Sequence, residues 1–216
     1  MKKTITLTTQ DGLSLVGVEQ HTDQQRIALL FHMMPATKES WDAFAERLLQ
    51  AGYASIAIDQ RGHGESTMQA TFDYKQFSDE QQQAKRLDVD AVIAYAITKG
   101  FVDKQIILIG ASIGANLAMQ ALVDYPEISC VIALSPGIDY HGVRTDTVMT
   151  QLHPHQHVLL IASDDDQESY ESIKQLHALN PKQTEVWEQN GIGHGTSMLQ
   201  NDPLLIDRIL RYLVSL

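Results

Sequence analysis

The sequence has little of several features that would each point to a particular class of protein. Its 216 residues include a single cysteine, so no disulfide can form within the chain. Lysine and arginine number 16 against 27 aspartates and glutamates, a formal net charge of −11. This balance disfavours nucleic acid and anionic membranes as partners. No apolar run approaches the roughly 20 residues that a transmembrane helix needs.

The N-terminus also lacks a signal for export. Met1–Ile5 contains two lysines, but polar and apolar residues then alternate where a signal peptide would have an apolar segment. The sequence therefore predicts a cytoplasmic protein. The one cysteine, Cys130, lies in an apolar run and is expected to be a small buried core residue. The length suits one well-packed domain, residues 1–216.

Strands and helices are predicted to alternate along the chain. Asp11-Gly12, between alternating runs at residues 4–9 and 13–19, indicates an initial hairpin. Apolar runs of strand length then alternate with helical patterns, which predicts an α/β fold with a mostly parallel sheet of about eight strands and helices on both faces. The later strands are predicted at 26–31, 54–58, 105–109, 129–134, 157–162 and 184–188, and helices at 39–51, 78–99, 113–124, 167–179 and 202–216.

The most informative stretch is a predicted strand that runs into Gly-x-Ser-x-Gly and then into a helix. Ser112 is at the apex of this turn, between Gly110 and Gly114. A serine hydroxyl is a poor nucleophile and has to be held in the open, within reach of a base. A strained strand-to-helix turn does this and aims the N–H of Ile113 at the reacting carbonyl. The alternative is a glycine-rich turn in an unrelated α/β protein.

Two further loops at the carboxyl ends of predicted strands carry residues that suit a serine nucleophile. Ser163-Asp164-Asp165-Asp166 follows the seventh strand, and Gly193-His194-Gly195 follows the eighth. Parallel strands bring such loops to one edge of the sheet. His194 would take the proton of Ser112, and an aspartate would orient the imidazole. Candidates for that acid are Asp139, Asp164, Asp165 and Asp166, and surplus carboxylates are expected to be solvated or to cap the next helix.

Together these motifs resemble the α/β-hydrolase superfamily over nearly the whole chain. Residues 30–35 are similar to its His-Gly oxyanion loop, residues 59–66 match Asp-x-Arg-Gly-His-Gly-x-Ser, and residues 110–114 match the nucleophile elbow. The resemblance implies Asp166 as the acid, three residues past the small Ser163. It is strongest to small carboxylesterases and dienelactone-hydrolase-like enzymes, since residues between Leu134 and His157 are too few for the usual helical cap.

The resemblance also implies an oxyanion hole. One donor is the backbone N–H of Ile113, and the second, by the family's register, is that of Met34. The family usually has glycine where this chain has Met33, so the donor from this loop is either Met33 or Met34. Met33 and Met198 flank the oxyanion and histidine loops, and both are predicted to line a small apolar substrate pocket.

Other histidines are assigned no catalytic part. His32 is expected to anchor the oxyanion loop by a hydrogen bond, and His63 is expected to be structural. His153, His155 and His157 alternate and could share one strand face as Zn²⁺ ligands, but no cysteine or carboxylate nearby completes such a site. The sequence therefore predicts neither a metal nor a cofactor.

The sequence thus predicts a serine hydrolase that cleaves carboxylic esters of short acyl chains, with a small-molecule ester as its partner. The same machinery serves a thioesterase, an amidase, a peptidase, a lactonase or an acyltransferase. In a hypothesis of another class, the pocket belongs to a non-catalytic receptor for a small molecule. A complete Ser–Asp–His set argues against a receptor, because binding alone does not need all three groups.

Overall fold

A computed structural model of the chain describes residues 2–21, 23–68 and 72–215. Its main sheet has eight strands in the order β1-β2-β4-β3-β5-β6-β9-β10, and a separate two-stranded hairpin pairs β7 with β8. β1 is antiparallel to β2, and β2 to β4, whereas the other pairs in the main sheet are parallel. The strands are β1 Lys2–Thr8, β2 Ser14–Gln20, β3 Arg26–Phe31, β4 Tyr53–Ile58, β5 Ile106–Ala111, β6 Cys130–Leu134, β7 Asp139–Tyr140, β8 Val143–Arg144, β9 His157–Ser163 and β10 Thr184–Gln189. The predicted α/β fold with a mostly parallel sheet is confirmed.

Helices cover both faces of this sheet and enclose two apolar cores. They are α1 Asp42–Gln50, α2 Asp79–Gln83, α3 Arg86–Thr98, α4 Ile113–Asp124, α5 Asp146–Met149, α6 Gln167–Leu179, α7 Ser197–Asn201 and α8 Pro203–Ser215. One core joins α3, α4 and α6 to the sheet, and the other joins α1, α7 and α8. Along β3, Leu29 belongs to the first core and Leu30 to the second. Because both faces of the central strands are buried, those strands are apolar throughout.

The single helix predicted at 78–99 is wrong. The chain forms α2 and α3 there, with a break at Ala84 and Lys85. Lys85 and Asp88 are fully buried charged groups, and Asp88 accepts hydrogen bonds from the side chain and the backbone N–H of Arg61. The break lets both polar side chains reach partners inside the protein, where an unpaired charge would be costly.

The C-terminal helix predicted at 202–216 is confirmed as α8, and a separate short helix, α7, precedes it. α7 ends before Asp202, whose carboxylate accepts a hydrogen bond from Leu204 N–H at 3.0 Å, and α8 begins at Pro203. Proline suits the first position of a helix because its missing N–H would have no partner there. Residue 216 lies outside the described residues.

Between β6 and β9 the chain forms only the β7–β8 hairpin and the short α5. The expectation of no large cap is confirmed for this segment. Over residues 2–21, 23–68 and 72–215, no helix is long and apolar enough to cross a bilayer.

Candidate active site

Ser112 occupies a sharp turn between β5 and α4. Its backbone has φ 55° and ψ −125°, a conformation that residues with a side chain rarely adopt. The turn is fixed by a hydrogen bond of 2.8 Å from Ser112 N–H to the carbonyl of Leu134 on β6. Strain of this kind persists only where the surroundings over-determine it, and such sites are commonly functional.

The two glycines of the motif are required by close backbone contacts. A Cβ at Gly110 would lie 2.2 Å from the carbonyl oxygen of Gly114, and a Cβ at Gly114 would lie 2.4 Å from that of Phe31. Phe31 ends β3, immediately before the predicted oxyanion loop. The elbow is therefore packed directly against the base of that loop.

Asp166 and His194 meet at the same edge of the sheet, where β9 and β10 end. Asp166 Oδ2 is 2.6 Å from His194 Nδ1. Burial raises the pKa of Asp166, but hydrogen bonds from His194 and Ser169 outweigh it and leave that pKa below its ordinary value. The carboxylate is thus ionised near neutral pH and can accept the Nδ1–H proton, which directs Nε2 away from it as the basic nitrogen.

The neighbouring carboxylates have a task that the sequence did not reveal. Asp164 Oδ1 accepts the N–H of Gly191 at 2.8 Å, and both oxygens of Asp165 accept that of Gly193 at 3.1 Å. Both side chains are exposed, as expected of solvated groups, but neither caps the next helix. They fasten the histidine loop to the acid loop.

The histidine loop also touches the elbow. Gly195 N–H donates to Ser135 Oγ at 2.9 Å, and the Cβ position of Gly195 is 3.4 Å from the Cβ of Ala111, the residue before Ser112. The same position is 2.6 Å from the sulfur of Met33. The structure therefore brings the elbow, the histidine loop and the oxyanion loop into contact.

His32 anchors the predicted oxyanion loop, as expected. Its Nδ1 is 2.8 Å from the carbonyl oxygen of Met33, and its Nε2 accepts the N–H of Gln60 at 3.0 Å. Burial lowers the pKa of His32 to about 3, so the ring is neutral and can both donate and accept. Across the described residues, no protein acceptor takes a hydrogen bond from the backbone N–H of Met33, Met34 or Ile113. Both methionines thus offer a free donor beside the elbow.

The two methionines predicted to line a pocket differ in position. Met33 is half-buried and contacts Gly195. Met198 is 0 % exposed on α7 and belongs to the core beneath the sheet. The pocket prediction for Met198 is therefore wrong. The apolar side of the short α7 packs inward and leaves Met198 no surface for a ligand.

Asp139 and the zinc hypothesis were two alternatives at the sequence level, and the side chains of Asp139 and His155 have other partners. Asp139 accepts Gly142 N–H at 2.6 Å and pairs with Arg144 inside the β7–β8 hairpin. His155 Nε2 is 2.8 Å from the carbonyl oxygen of Pro126. Within the described ranges, no three histidine, cysteine or carboxylate side chains converge as metal ligands, so the zinc hypothesis has no site there.

Four polar residues near the site went unnoticed in the sequence. Ser135 and Ser169 are fully buried, and their hydroxyl groups lower the pKa of Asp166. Tyr140 is 3.0 Å from Ser169 through their hydroxyl oxygens, and Asn116 lies one turn into α4 beyond Ser112. The position of Ser135 immediately after β6, at the carboxyl edge of the sheet, was the available signal.

Comparison with known proteins agrees with this geometry. A family model, Hydrolase_4, described as "Serine aminopeptidase, S33", matches residues 22–202. A bifunctional esterase/perhydrolase of Acinetobacter calcoaceticus is 27% identical over 122 residues, which are 56% of this chain and 40% of that protein. The chain thus covers less than half of that relative.

Solved structures share the fold along the entire chain. A Pyrococcus furiosus esterase superposes with a TM-score of 0.75 at 21% identity, over 100% of this chain and 92% of that one. Est1E from Butyrivibrio proteoclasticus, solved with ferulic acid bound, gives 0.77 at 17% identity, over 97% and 98%. A dienelactone hydrolase from Anabaena variabilis gives 0.73 at 17%, over 99% and 94%. From the span of the family match, the chain belongs to the Hydrolase_4 family of the α/β-hydrolase superfamily.

Proposed function

We propose that the chain cleaves carboxylic esters through an acyl-enzyme formed on Ser112, with His194 as base and Asp166 as the acid that orients it. One observation carries the proposal above the others: Asp166 Oδ2 lies 2.6 Å from His194 Nδ1, at the edge where Ser112 is held at φ 55°. An acid that orients the base and a serine held at a strained turn both support nucleophilic catalysis by serine.

The first half of the reaction follows from these positions. Ser112 Oγ attacks the ester carbonyl carbon while its proton passes to His194 Nε2. The carbonyl oxygen becomes an oxyanion that accepts hydrogen bonds from Ile113 N–H and from the N–H of Met34, with Met33 as the alternative donor. Collapse breaks the bond to the alcohol, and His194 returns the proton to the leaving oxygen. Donors already in place need no reorganisation as the charge develops.

Water completes the cycle by the same route. His194 takes a proton from water, the hydroxide attacks the acyl carbon, and collapse releases the acid with the proton back on Ser112. Throughout, Asp166 stays ionised and balances the positive charge on the imidazolium. With water as the second reactant, every proton taken up by His194 is returned.

We further propose that the acyl group is short and that the whole chain acts as one domain. The β7–β8 hairpin and α5 replace a large cap, so few walls rise above Ser112. A buried CH₂ contributes about 0.8 kcal/mol only where there is apolar surface to bury it against. Acetate to butyrate esters therefore suit the site.

Hydrolysis of p-nitrophenyl acetate and butyrate tests the proposal. The wild-type chain should turn both over, and Ser112→Ala should lose the activity while its thermal unfolding is unchanged. Ser215→Ala is the matched control, since the hydroxyl of this exposed serine donates to the carbonyl of Tyr212 in α8. A wild-type protein inert towards both esters would overturn the proposal. An acetyl thioester and acetanilide, tested in the same way, show whether the chain also cleaves thioesters or amides.

A further inference from the structure

Tyr140 lies on a hairpin that is tied to α4, the helix that follows the nucleophile. Asn116, one turn after Ser112, donates from Nδ2 to the carbonyl of Val143 at 2.7 Å and accepts Gly137 N–H at 3.0 Å. Asn116 is fully buried. The β7–β8 hairpin therefore has a fixed position relative to Ser112, and Tyr140 lies on it.

The phenol of Tyr140 is directed at the catalytic groups. Its ring covers Gly137, where a Cβ would be 2.6 Å from the ring carbon Cζ. Its oxygen is 3.0 Å from Ser169 Oγ. Burial raises the pKa of Tyr140 to about 12, with smaller effects from Ser169, from the charges of Glu168 and Asp166, and from a hydrogen bond with Ser112. The phenol is therefore protonated, has a single proton to donate and lies beside the nucleophile.

The hydroxyl protons of Ser169 and Tyr140 each have a defined acceptor. Ser169 Oγ has two acceptor neighbours, the carbonyl oxygen of Ser135 at 3.3 Å and the Asp166 carboxylate. Its one proton has to go to one of them, because neither can donate. The Tyr140–Ser169 hydrogen bond then uses the proton of Tyr140. The phenol oxygen keeps an acceptor lone pair, and the Ser112 hydroxyl is among the groups that act on this phenol.

The partner of that lone pair changes during the reaction. In the free protein the Ser112 hydroxyl can donate to Tyr140. Once Ser112 has given its proton to His194 and carries the acyl group, it has nothing left to donate. The phenol oxygen then lacks a donor unless the substrate supplies one, and a polar atom that is desolvated without a partner is costly.

We propose that Tyr140 is a substrate-contacting specificity residue whose phenol oxygen accepts a hydrogen bond from a hydroxyl group on the ester, close to the bond that is cleaved. This inference rests on the proposed function and narrows it to hydroxyl-bearing short esters. The negative surroundings, Asp166 and Glu168, favour a donor at this position over an acceptor.

Two pairs of esters of equal size test this inference. On the acyl side ethyl lactate is compared with ethyl isobutyrate, and on the alcohol side 2-hydroxyethyl acetate with propyl acetate. For each pair the ratio of kcat/KM is measured in the wild type and in Tyr140→Phe, which keeps the ring and removes the oxygen. Comparing one ratio in two proteins cancels the intrinsic reactivity of the esters.

In at least one pair, Tyr140→Phe should lower the preference for the hydroxyl ester by about 3- to 10-fold, the effect of one lost neutral hydrogen bond. Tyr170→Phe is the matched control, because its hydroxyl bonds to Glu188 on the solvent side of α6. That variant should leave both ratios unchanged.

Each other outcome counts against the inference. Equal ratios in wild type and Tyr140→Phe for both pairs would overturn it, as would an equal loss for all four esters, which would make Tyr140 structural. If Tyr140→Phe did not fold, a wild-type preference no greater than that of hydroxide-catalysed hydrolysis would overturn it, and a greater one would support it. A wild type that hydrolyses none of the four esters would instead refute the proposed function.

Discussion

The Asp166 carboxylate and the His194 imidazole are in side-chain contact, Oδ2 to Nδ1 at 2.6 Å, whereas the carboxylates of Asp164 and Asp165 accept backbone N–H groups of the histidine loop, and Asp164 also accepts Asn190 Nδ2. Asp166 therefore orients the base, whereas Asp164 and Asp165 hold the loop that carries it. This difference distinguishes three consecutive aspartates whose side chains are chemically identical.

The acid is tested by three asparagine substitutions. Asp166→Asn should keep the geometry but support the wrong tautomer of His194, with a loss of up to ~10⁴ in kcat. Asp164→Asn and Asp165→Asn should cost less than about tenfold, because an amide oxygen still accepts a backbone N–H. Steady-state kinetics on p-nitrophenyl butyrate provides the comparison.

Asp139→Asn is the control for this series, since Asp139 bonds within its own hairpin. It should behave like the wild type. A severe loss in Asp139→Asn with an active Asp166→Asn would place the acid after β6 instead.

The packing of the elbow predicts an unequal response to two glycine substitutions. Gly114→Ala would put a methyl group 2.4 Å from the carbonyl oxygen of Phe31, so the elbow and β3 have to separate. Gly100→Ala meets no atom within 4 Å and costs only its positive φ of 95°, roughly 1 kcal/mol. Urea unfolding should show a loss for Gly114→Ala at least twice that for Gly100→Ala. Equal losses would contradict the close contact.

The absence of a large cap predicts a preference for short acyl chains. Across p-nitrophenyl esters from acetyl to palmitoyl, kcat/KM should be highest between acetyl and butyryl. Longer chains gain little because the β7–β8 hairpin and α5 provide few apolar walls. With no lid to open, the rate should not jump above the solubility limit of the ester. A maximum at long chains would mean that residues 135–156 cover the site.

Two buried histidines predict that the fold is less stable in mild acid. Burial lowers the pKa of both His32 and His63, and Lys85 Nζ lies 3.1 Å from His63 Nε2. Below pH 6.5 the unfolded chain binds protons at both imidazoles while the folded chain does not, so stability falls as pH falls. Burial raises the pKa of Asp88 to about 6, which offsets part of this loss below that pH.

Urea unfolding at pH 7 and pH 5 measures the effect. The free energy of unfolding should fall by about 1–3 kcal/mol in the wild type. It should fall less in His63→Gln, whereas His157→Gln, at an exposed position, should follow the wild type. A wild type as stable at pH 5 as at pH 7 would refute the assignment of these imidazoles as neutral.

The sequence predicted well those elements whose apolar pattern is set by burial alone. The strand at 26–31 and the helix at 167–179 have the predicted bounds. The strand is buried on both faces and reads as a continuous apolar run, whereas the helix is buried on one side and shows a helical spacing of apolar residues. The prediction of one helix at 78–99 failed because the buried side chains of Asp88 and Lys85 depend on Arg61 and His63, which are distant in sequence.

The candidate site, too, was predicted where local residues define it and missed where distant contacts do. The motif around Ser112 and the loops of Asp166 and His194 were identified from local residues. Tyr140 was missed because two-residue strands have no periodicity and their position depends on Asn116, a contact across 27 residues. The prediction for Met198 failed because closeness to the histidine loop in sequence does not reveal which side of α7 faces the core.

Labelling with a fluorophosphonate tests the central claim, that Ser112 is an activated nucleophile, most directly. Intact mass spectrometry of the wild type should show one adduct per chain, and peptide mapping should locate it on Ser112. Ser112→Ala should take up no label, and His194→Ala should react far more slowly, since its base is gone. An unlabelled wild type, or equal labelling of Ser112→Ala, would contradict the account.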